Sequence, residues 1–310
     1  MVPEPKYQHL EIGNNLTIGN KYNLVSRVKD RSHFNIDDLE HYSLLLQLGA
    51  DNLQVCVTDA RNDTCLLLED YEIHHHNTFF DTLDCVKQIF DDHHFLLANF
   101  WDSVTVSLKT EKYTWVPEAY FSENQLFDFL KFNTELIPFE ERYCYNLIAE
   151  VDAVSVFAVN KILVDYLDSV YINVNYKLVH QSQAVIKSLI NSRDLRPYRQ
   201  IYINYEFNRL HIIVLDDQKL IYYNQFNVRD QQEFVRYILM VAHSLEVDLK
   251  QHGIVVWSYT LNQSPYFQEL NKFVKNLQFG QGPTFLKRSY DFDDLQEYQY
   301  MDVYGIYLCA

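Results

Sequence analysis

Glycine and proline are scarce, with seven of each in 310 residues. A chain so poor in both has little room for flexible linkers, low-complexity tracts or glycine-built phosphate loops. Its one Gly-x-Gly, GQGP at 280–283, lacks the spacing and the lysine of a P-loop and reads as a turn. Positive charge is short too: 26 Lys and Arg stand against 42 Asp and Glu, a net charge of -16. A nucleic-acid face needs clustered cations to displace condensed counterions. The densest cluster, Lys187, Arg193, Arg196 and Arg199 in KSLINSRDLRPYRQ, reads as a solvated helix end and connector. Nucleic acid is therefore excluded as the main partner. No apolar run approaches the length of a bilayer span, so direct membrane insertion is not expected. MVPEPKYQHLEIGNN has no basic stretch followed by an apolar one and does not read as a secretory signal. The five cysteines form no CxxC pair, and four sit in apolar runs, as core thiols in a reducing compartment do. There is no Gly-x-Ser-x-Gly elbow and no His-Glu-x-x-His pair. The expectation is a cytoplasmic protein.

What the chain does have is aromatic bulk, 24 Tyr and 20 Phe, and strong β-patterning. After a polar opening, in which YNLVSRVKD has the composition of an edge strand, runs 42–49, 53–59 and 64–73 read as three strands joined by polar turns. TFFDTLDCVKQIF follows with Phe79, Leu83, Val86 and Phe90 on one helical stripe. Further on come a strand (103–109), a short helix (ENQLFDFLKF), strands 144–150 and 153–158, a helix (159–168), a strand (170–176) and a helix (178–190). The opening pattern then returns. Strands 200–205, 209–215 and 219–226 precede the helix DQQEFVRYILMVAHSLEVDL, a strand (253–258), a helix (265–277) and a strand-like tail, VYGIYLCA. At an offset of 157 residues Leu44, Leu46, Leu53, Val55 and Val57 fall on Ile201, Ile203, Leu210, Ile212 and Val214. This repetition predicts a duplicated α/β chain: an N-terminal extension (1–40), a first lobe (41–194) and a second lobe (195–310).

Several stretches carry a resemblance to the actin, Hsp70 and sugar-kinase superfamily, whose duplicated fold is ribonuclease H-like. They are WVPEAYFSENQLFDFLKF, TELIPFEERYCYNLI, VSVFAVNKILVDYLDSV with Ala158 and Lys161, QSQAVIKSLI, and the terminal YGIYLCA. Within the superfamily the chain is most similar to the actin-like platform proteins of type IV pilus assembly and type II secretion, and it looks like a member of an uncharacterised bacterial family with that architecture. The resemblance implies two lobes, each a mixed sheet opened by a three-strand meander and flanked by helices. It also implies a cleft where each lobe's first hairpin turn holds nucleotide phosphates.

Departures from that pattern shape the functional expectation. The Asp-x-Gly of active members is replaced by Gln47-Leu48-Gly49 in the first lobe and Asn204-Tyr205-Glu206 in the second. An amide is no general base and holds Mg²⁺ far more weakly than a carboxylate. Trp257-Ser258 stands where the resemblance implies a Gly-Gly pair beside the adenine base. The degenerate cleft positions are thus Gln47, Gly49, Asn204, Glu206, Trp257 and Ser258, with no catalytic residue and no cofactor expected. The reading is a scaffold or adaptor acting through protein partners. The alternative is an ATPase or small-molecule kinase using ATP and Mg²⁺ with relocated acids, Asp51 or Glu206. A third is a metal site at His74 and His76, which share a face on an extended strand. The aromatic and acidic tail SYDFDDLQEYQYMDVY reads either as a partner surface or as a loop laid on its own lobe.

Overall fold

The computed structural model describes residues 21–74 and 78–310. The edge strand β1 (Tyr22–Lys29) is followed by the meander β2 (Ser43–Leu48), β3 (Asn52–Asp59) and β4 (Thr64–Ile73). The meander strands β2, β3 and β4 are buried on both faces, which is why they read as near-continuous apolar runs. Helix α1 (Phe79–Asp92) starts with a capping box: Asp81 N–H donates to Thr78 Oγ1 at 3.2 Å, and Thr78 N–H donates to Asp81 Oδ2 at 3.0 Å. Asp92 ends the helix where its dipole disfavours negative charge, and there accepts the Tyr22 hydroxyl at 2.6 Å.

The chain then adds β5 (Ser103–Leu108) parallel to β2 and leaves the sheet for a small subdomain. In it β6 (Tyr113–Pro117), the short helix α2 (Leu126–Leu130), β7 (Glu141–Ile148) and β8 (Ala153–Asn160) form a three-stranded antiparallel sheet ordered β6-β8-β7. Helix α3 (Lys161–Val170), strand β9 (Tyr176–His180) and helix α4 (Gln181–Ile190) close the first lobe, whose sheet runs β1-β4-β3-β2-β5-β9. The second lobe repeats the plan with β10 (Gln200–Glu206), β11 (Arg209–Asp216), β12 (Lys219–Asn227), α5 (Gln231–Ser244), β13 (Ile254–Ser258), α6 (Pro265–Leu270), β14 (Leu277–Phe279) and α7 (Met301–Gly305). Its sheet runs β12-β11-β10-β13-β14, the order of the first sheet without β1. Each sheet is a meander with two parallel strands added beside its first strand.

Several elements differ from the sequence reading; among them, the helix expected at 265–277 ends at Leu270 and strand β14 follows it. WVPEAYF contributes β6 before its turn, because Tyr113–Pro117 pairs with Ala153–Phe157 across the small sheet. The strand expected at 170–176 begins only at Tyr176, where it joins β5. The tail VYGIYLCA is helical, not a strand: α7 runs into a 3-10 turn at Ile306–Cys309. Val303, Ile306 and Cys309 recur every third residue and are all buried, a helical spacing that a short apolar run conceals.

Five layers result. Leu83, Val86, Ile89 and Phe90 of α1 and Leu163, Val164 and Leu167 of α3 cover one face of the first sheet. Ala184 of α4 and Val303, Tyr304 and Ile306 of the tail pack on its other face against Leu45, Cys56 and Leu68. The same middle layer meets the second sheet, as Val185 and Leu189 of α4 touch Tyr202, Ile213 and Trp257. Helices α5 and α6 cover the outer face of that sheet. Cys56, Cys65, Cys85 and Cys309 are buried free thiols. Residues 22–29 thus belong to the first sheet, and residues from Leu286 onward return to pack on it. Gly305 permits the closest approach in the middle layer, since a Cβ there would lie 1.9 Å from Ser188 Oγ and 2.4 Å from the Ala184 carbonyl oxygen. Gly305→Ala is expected to destabilise the protein by about 1–3 kcal/mol through overpacking, measured by urea denaturation.

Candidate functional site

The two hairpin turns that open the lobes face one another. In the first, Gly49 N–H donates to the Asn52 carbonyl at 2.9 Å. The second lies between Glu206 and Arg209, with Phe207 in the left-handed region at φ 50°. The turns are bonded directly to each other: Asn52 Nδ2 donates to Glu206 Oε1 at 3.1 Å, and Arg209 Nη2 to Asp51 Oδ2 at 3.3 Å. Lys109, the residue after β5, lies between them. Its wholly buried ammonium donates to Glu206 Oε1 at 2.6 Å, to Asn52 Oδ1 at 2.9 Å and to Gln54 Oε1 at 3.1 Å. Its Cδ is also what a Cβ at Gly49 would meet, at 2.9 Å.

Behind this pair runs a polar row across four strands. Ser107, Gln47, Gln54 and Asp70 are register neighbours on β5, β2, β3 and β4. Ser107 Oγ donates to Gln47 Oε1 at 3.1 Å, Gln47 Nε2 to Gln54 Oε1 at 3.1 Å, and Gln54 Nε2 to Asp70 Oδ2 at 3.3 Å. Asp302 of α7 joins from the middle layer, accepting from Gln47 Nε2 at 2.6 Å and Gln181 Nε2 at 2.8 Å. Three buried carboxylates therefore surround one lysine, and their protonation differs. Burial raises the pKa of Glu206, but the Lys109 ammonium, Arg209 and the Asn52 amide outweigh it and hold it below the usual carboxylate range. Burial and the Glu206 charge push Asp70 up to about 6, and the same two causes raise Asp302.

Of the positions expected at the cleft, Gln47, Gly49, Asn204, Glu206 and Ser258 gather here. Asn204, Glu206 and Ser258 line a cavity of about 10 Å³ together with Gln54, Tyr300 and Asp302. That is space for about one water. Ser258 is also tied to its own lobe, Oγ donating to the Tyr205 carbonyl at 2.8 Å. Trp257 does not join them. Its indole lies in the middle layer, stacked on Tyr202 at 6.1 Å between ring centres, with Nε1 donating to the Gln281 carbonyl at 3.5 Å. The acids proposed as substitutes, Asp51 and Glu206, are both ion-paired. His74 Nε2 lies 2.9 Å from Asn23 Nδ2, while His76 falls outside the described residues. Sequence reading missed Lys109, Gln54, Asp70 and Asp302. The signal was there in part: Gln47, Gln54, Asp70 and Ser107 are polar residues within four successive strands of largely apolar composition. Asp302 gave none, because its placement depends on the tail folding back.

Residues 31–277 match the sequence family described as protein of unknown function DUF3822. The chain belongs to that family. A comparison with curated proteins finds no match. Among solved structures, this DUF3822 chain is similar to a Bacteroides thetaiotaomicron protein with an actin-like ATPase fold and unknown function. The two are 18% identical with a TM-score of 0.70, over 79% of this chain and 93% of that one. It is also similar to a chain of the PilM–PilN type IV pilus biogenesis complex, 11% identical with a TM-score of 0.58, over 86% of this chain and 98% of that one. The fold is actin-like.

Lys109→Met is expected to cost about 3–5 kcal/mol in urea denaturation, because it strands a buried carboxylate. Adding Glu206→Leu is expected to recover most of the loss, since the pair then leaves together. Asp70 gives a pH signature. The folded chain keeps its proton to about pH 6, whereas an aspartate free of the fold releases it near 3.8, so stability falls as pH rises between those values. Asp70→Asn is expected to flatten that slope and to add roughly 1–3 kcal/mol at pH 7, checked by unfolding at several pH values.

Proposed function

We propose that this DUF3822 chain is a catalytically degenerate actin-fold protein that works in the cytoplasm as a scaffold or adaptor, through protein contacts. The observation that carries the reading is the Lys109–Glu206 pair, which sits between the hairpin turns where the family resemblance implies phosphates. A nucleotide there has to break that pair, and the cavity beside it has room for about one water. The two positions at which the resemblance implies an acid hold the amides of Gln47 and Asn204. Neither can act as a general base.

A surface for partners is supported by the small subdomain. Tyr120, Phe132 and Phe139 are 77%, 80% and 96% exposed, and Phe127, Ile137 and Leu147 of the same subdomain are exposed as well. Large apolar side chains that one small subdomain leaves in water support an interaction site there. Phe139 also has φ 74°, an unfavourable conformation for a bulky residue, and strain of this kind concentrates at functional sites. The pilus protein of similar fold is seen in a complex with a second protein, in keeping with such a role.

The deciding experiment is thermal unfolding with and without millimolar ATP and Mg²⁺. No shift in the midpoint is expected. A ligand at a hundred times its Kd stabilises by about 2.7 kcal/mol, so a Mg²⁺-dependent rise of several degrees overturns the reading in favour of a nucleotide enzyme or switch. Phe132→Asp with Phe139→Asp is expected to abolish recovery of a specific binding partner without lowering the unfolding midpoint.

A further inference from the structure

A second cleft, apart from the hairpin turns, opens between β6 of the small subdomain and β12 of the second lobe, each an edge strand of its sheet. Its volume is about 530 Å³, within the range of small-molecule sites. Tyr113 ties the two sides together: its hydroxyl donates to Asn224 Oδ1 at 3.3 Å and accepts from Gln225 N–H at 3.1 Å. The Tyr113 ring is held by His180, stacked at 4.3 Å between ring centres. Tyr223 completes an aromatic wall, 5.9 Å from Tyr113 and 5.8 Å from Trp115, and all three rings line the cleft.

What the cleft takes follows from how its polar groups are spent. Glu111, Asn133 and Asn227 stand in the lining and are exposed to water, so a ligand reaches them. Asn133 Nδ2 donates to Thr114 Oγ1 at 2.6 Å, and Asn227 Nδ2 donates to Glu111 Oε1 at 2.5 Å. Both amides thus turn a nitrogen into the wall. Their oxygens and Glu111 Oε2 make no hydrogen bond among the described residues. No lysine or arginine is among the described lining residues, and the chain carries a net charge of -16. One carboxylate and a surplus of acceptors favour a cationic donor and repel anions. The rings select in the same sense, because an ammonium is drawn to an aromatic face while its methylenes pack on the ring.

We propose that this cleft binds an aliphatic diamine or polyamine. One ammonium donates to Glu111 Oε2 and to the oxygen of Asn133 or Asn227. A primary ammonium has three N–H donors for such acceptors, whereas a quaternary one has none. The methylene chain lies along the wall of Tyr113, Trp115 and Tyr223. Because β6 and β12 belong to different sheets, the ligand spans the small subdomain and the second lobe. The proposal is independent of the scaffold reading.

The test is calorimetric titration of the full chain with putrescine and spermidine at fixed ionic strength, beside choline and trilysine. At least one of the two amines is expected to bind at a single site, more tightly than choline. Glu111→Gln changes an exposed side chain and leaves the ring wall in place. It is expected to weaken binding roughly tenfold, as loss of a charge-assisted hydrogen bond does. Asn133→Asp adds a carboxylate at the rim and is expected to tighten binding about threefold or more. A folding defect cannot give both results. Asp294→Asn removes an equal charge from an exposed position in the tail and is expected to leave the affinity unchanged. Binding by neither amine, an equal loss in Glu111→Gln and Asp294→Asn, no gain in Asn133→Asp, choline as tight as the amines, or binding of trilysine alone overturns the proposal.

Discussion

One buried ammonium organises the centre of this molecule. Lys109 has no access to water and holds Glu206 of the opposite lobe at 2.6 Å, with Asn52 and Gln54 satisfying its other donors. Burying a charge is tolerable only when its partners are complete, and these partners come from β3 of the first lobe and the end of β10 in the second. The pair therefore forms only when both lobes are in place. It makes lobe closure a condition of burial.

The five-layer architecture reinforces this. Helix α4 and the returning tail belong to neither sheet alone, packing on Leu45 and Leu68 on one side and on Tyr202 and Trp257 on the other. Asp302 brings a carboxylate from that layer to Gln47 and Gln181. Apolar packing and the polar network so share elements, and an opening of the lobes disturbs both. The small three-stranded subdomain stands apart from this arrangement. Its own core is a short cluster around Val116, Leu130, Val154 and Val156, and much of its apolar surface stays in water. A densely bonded centre and an exposed periphery thus coexist in the one chain.

The polar row shows how far a strand pattern can be read. Gln47, Gln54, Asp70 and Ser107 stand as polar residues within largely apolar strands, and the amides at Gln47 and Asn204 were visible as departures from the acid that the family resemblance implies. Their alignment into a single hydrogen-bonded line is a matter of register, which an apolar run buried on both faces does not specify. Trp257 illustrates the opposite case. Its ladder partner is Asn204, so both side chains leave the sheet on the middle-layer face, where the indole packs on Tyr202 and not at the hairpin turns.

The sequence by itself determined the meander and helix of each lobe, their repetition at 157 residues, the amides of Gln47 and Asn204 near the hairpin turns and the acidic balance of the chain. These rest on local periodicity and side-chain chemistry, which a linear chain displays directly. Only the tertiary structure decided that the tail is a helix in a shared layer, that Lys109 takes the place between the turns, and that Gln47, Gln54, Asp70 and Ser107 align in one row. Each depends on contacts between residues tens to hundreds of positions apart, where burial and partner are set by the packing of elements and leave no trace in the order of residues alone.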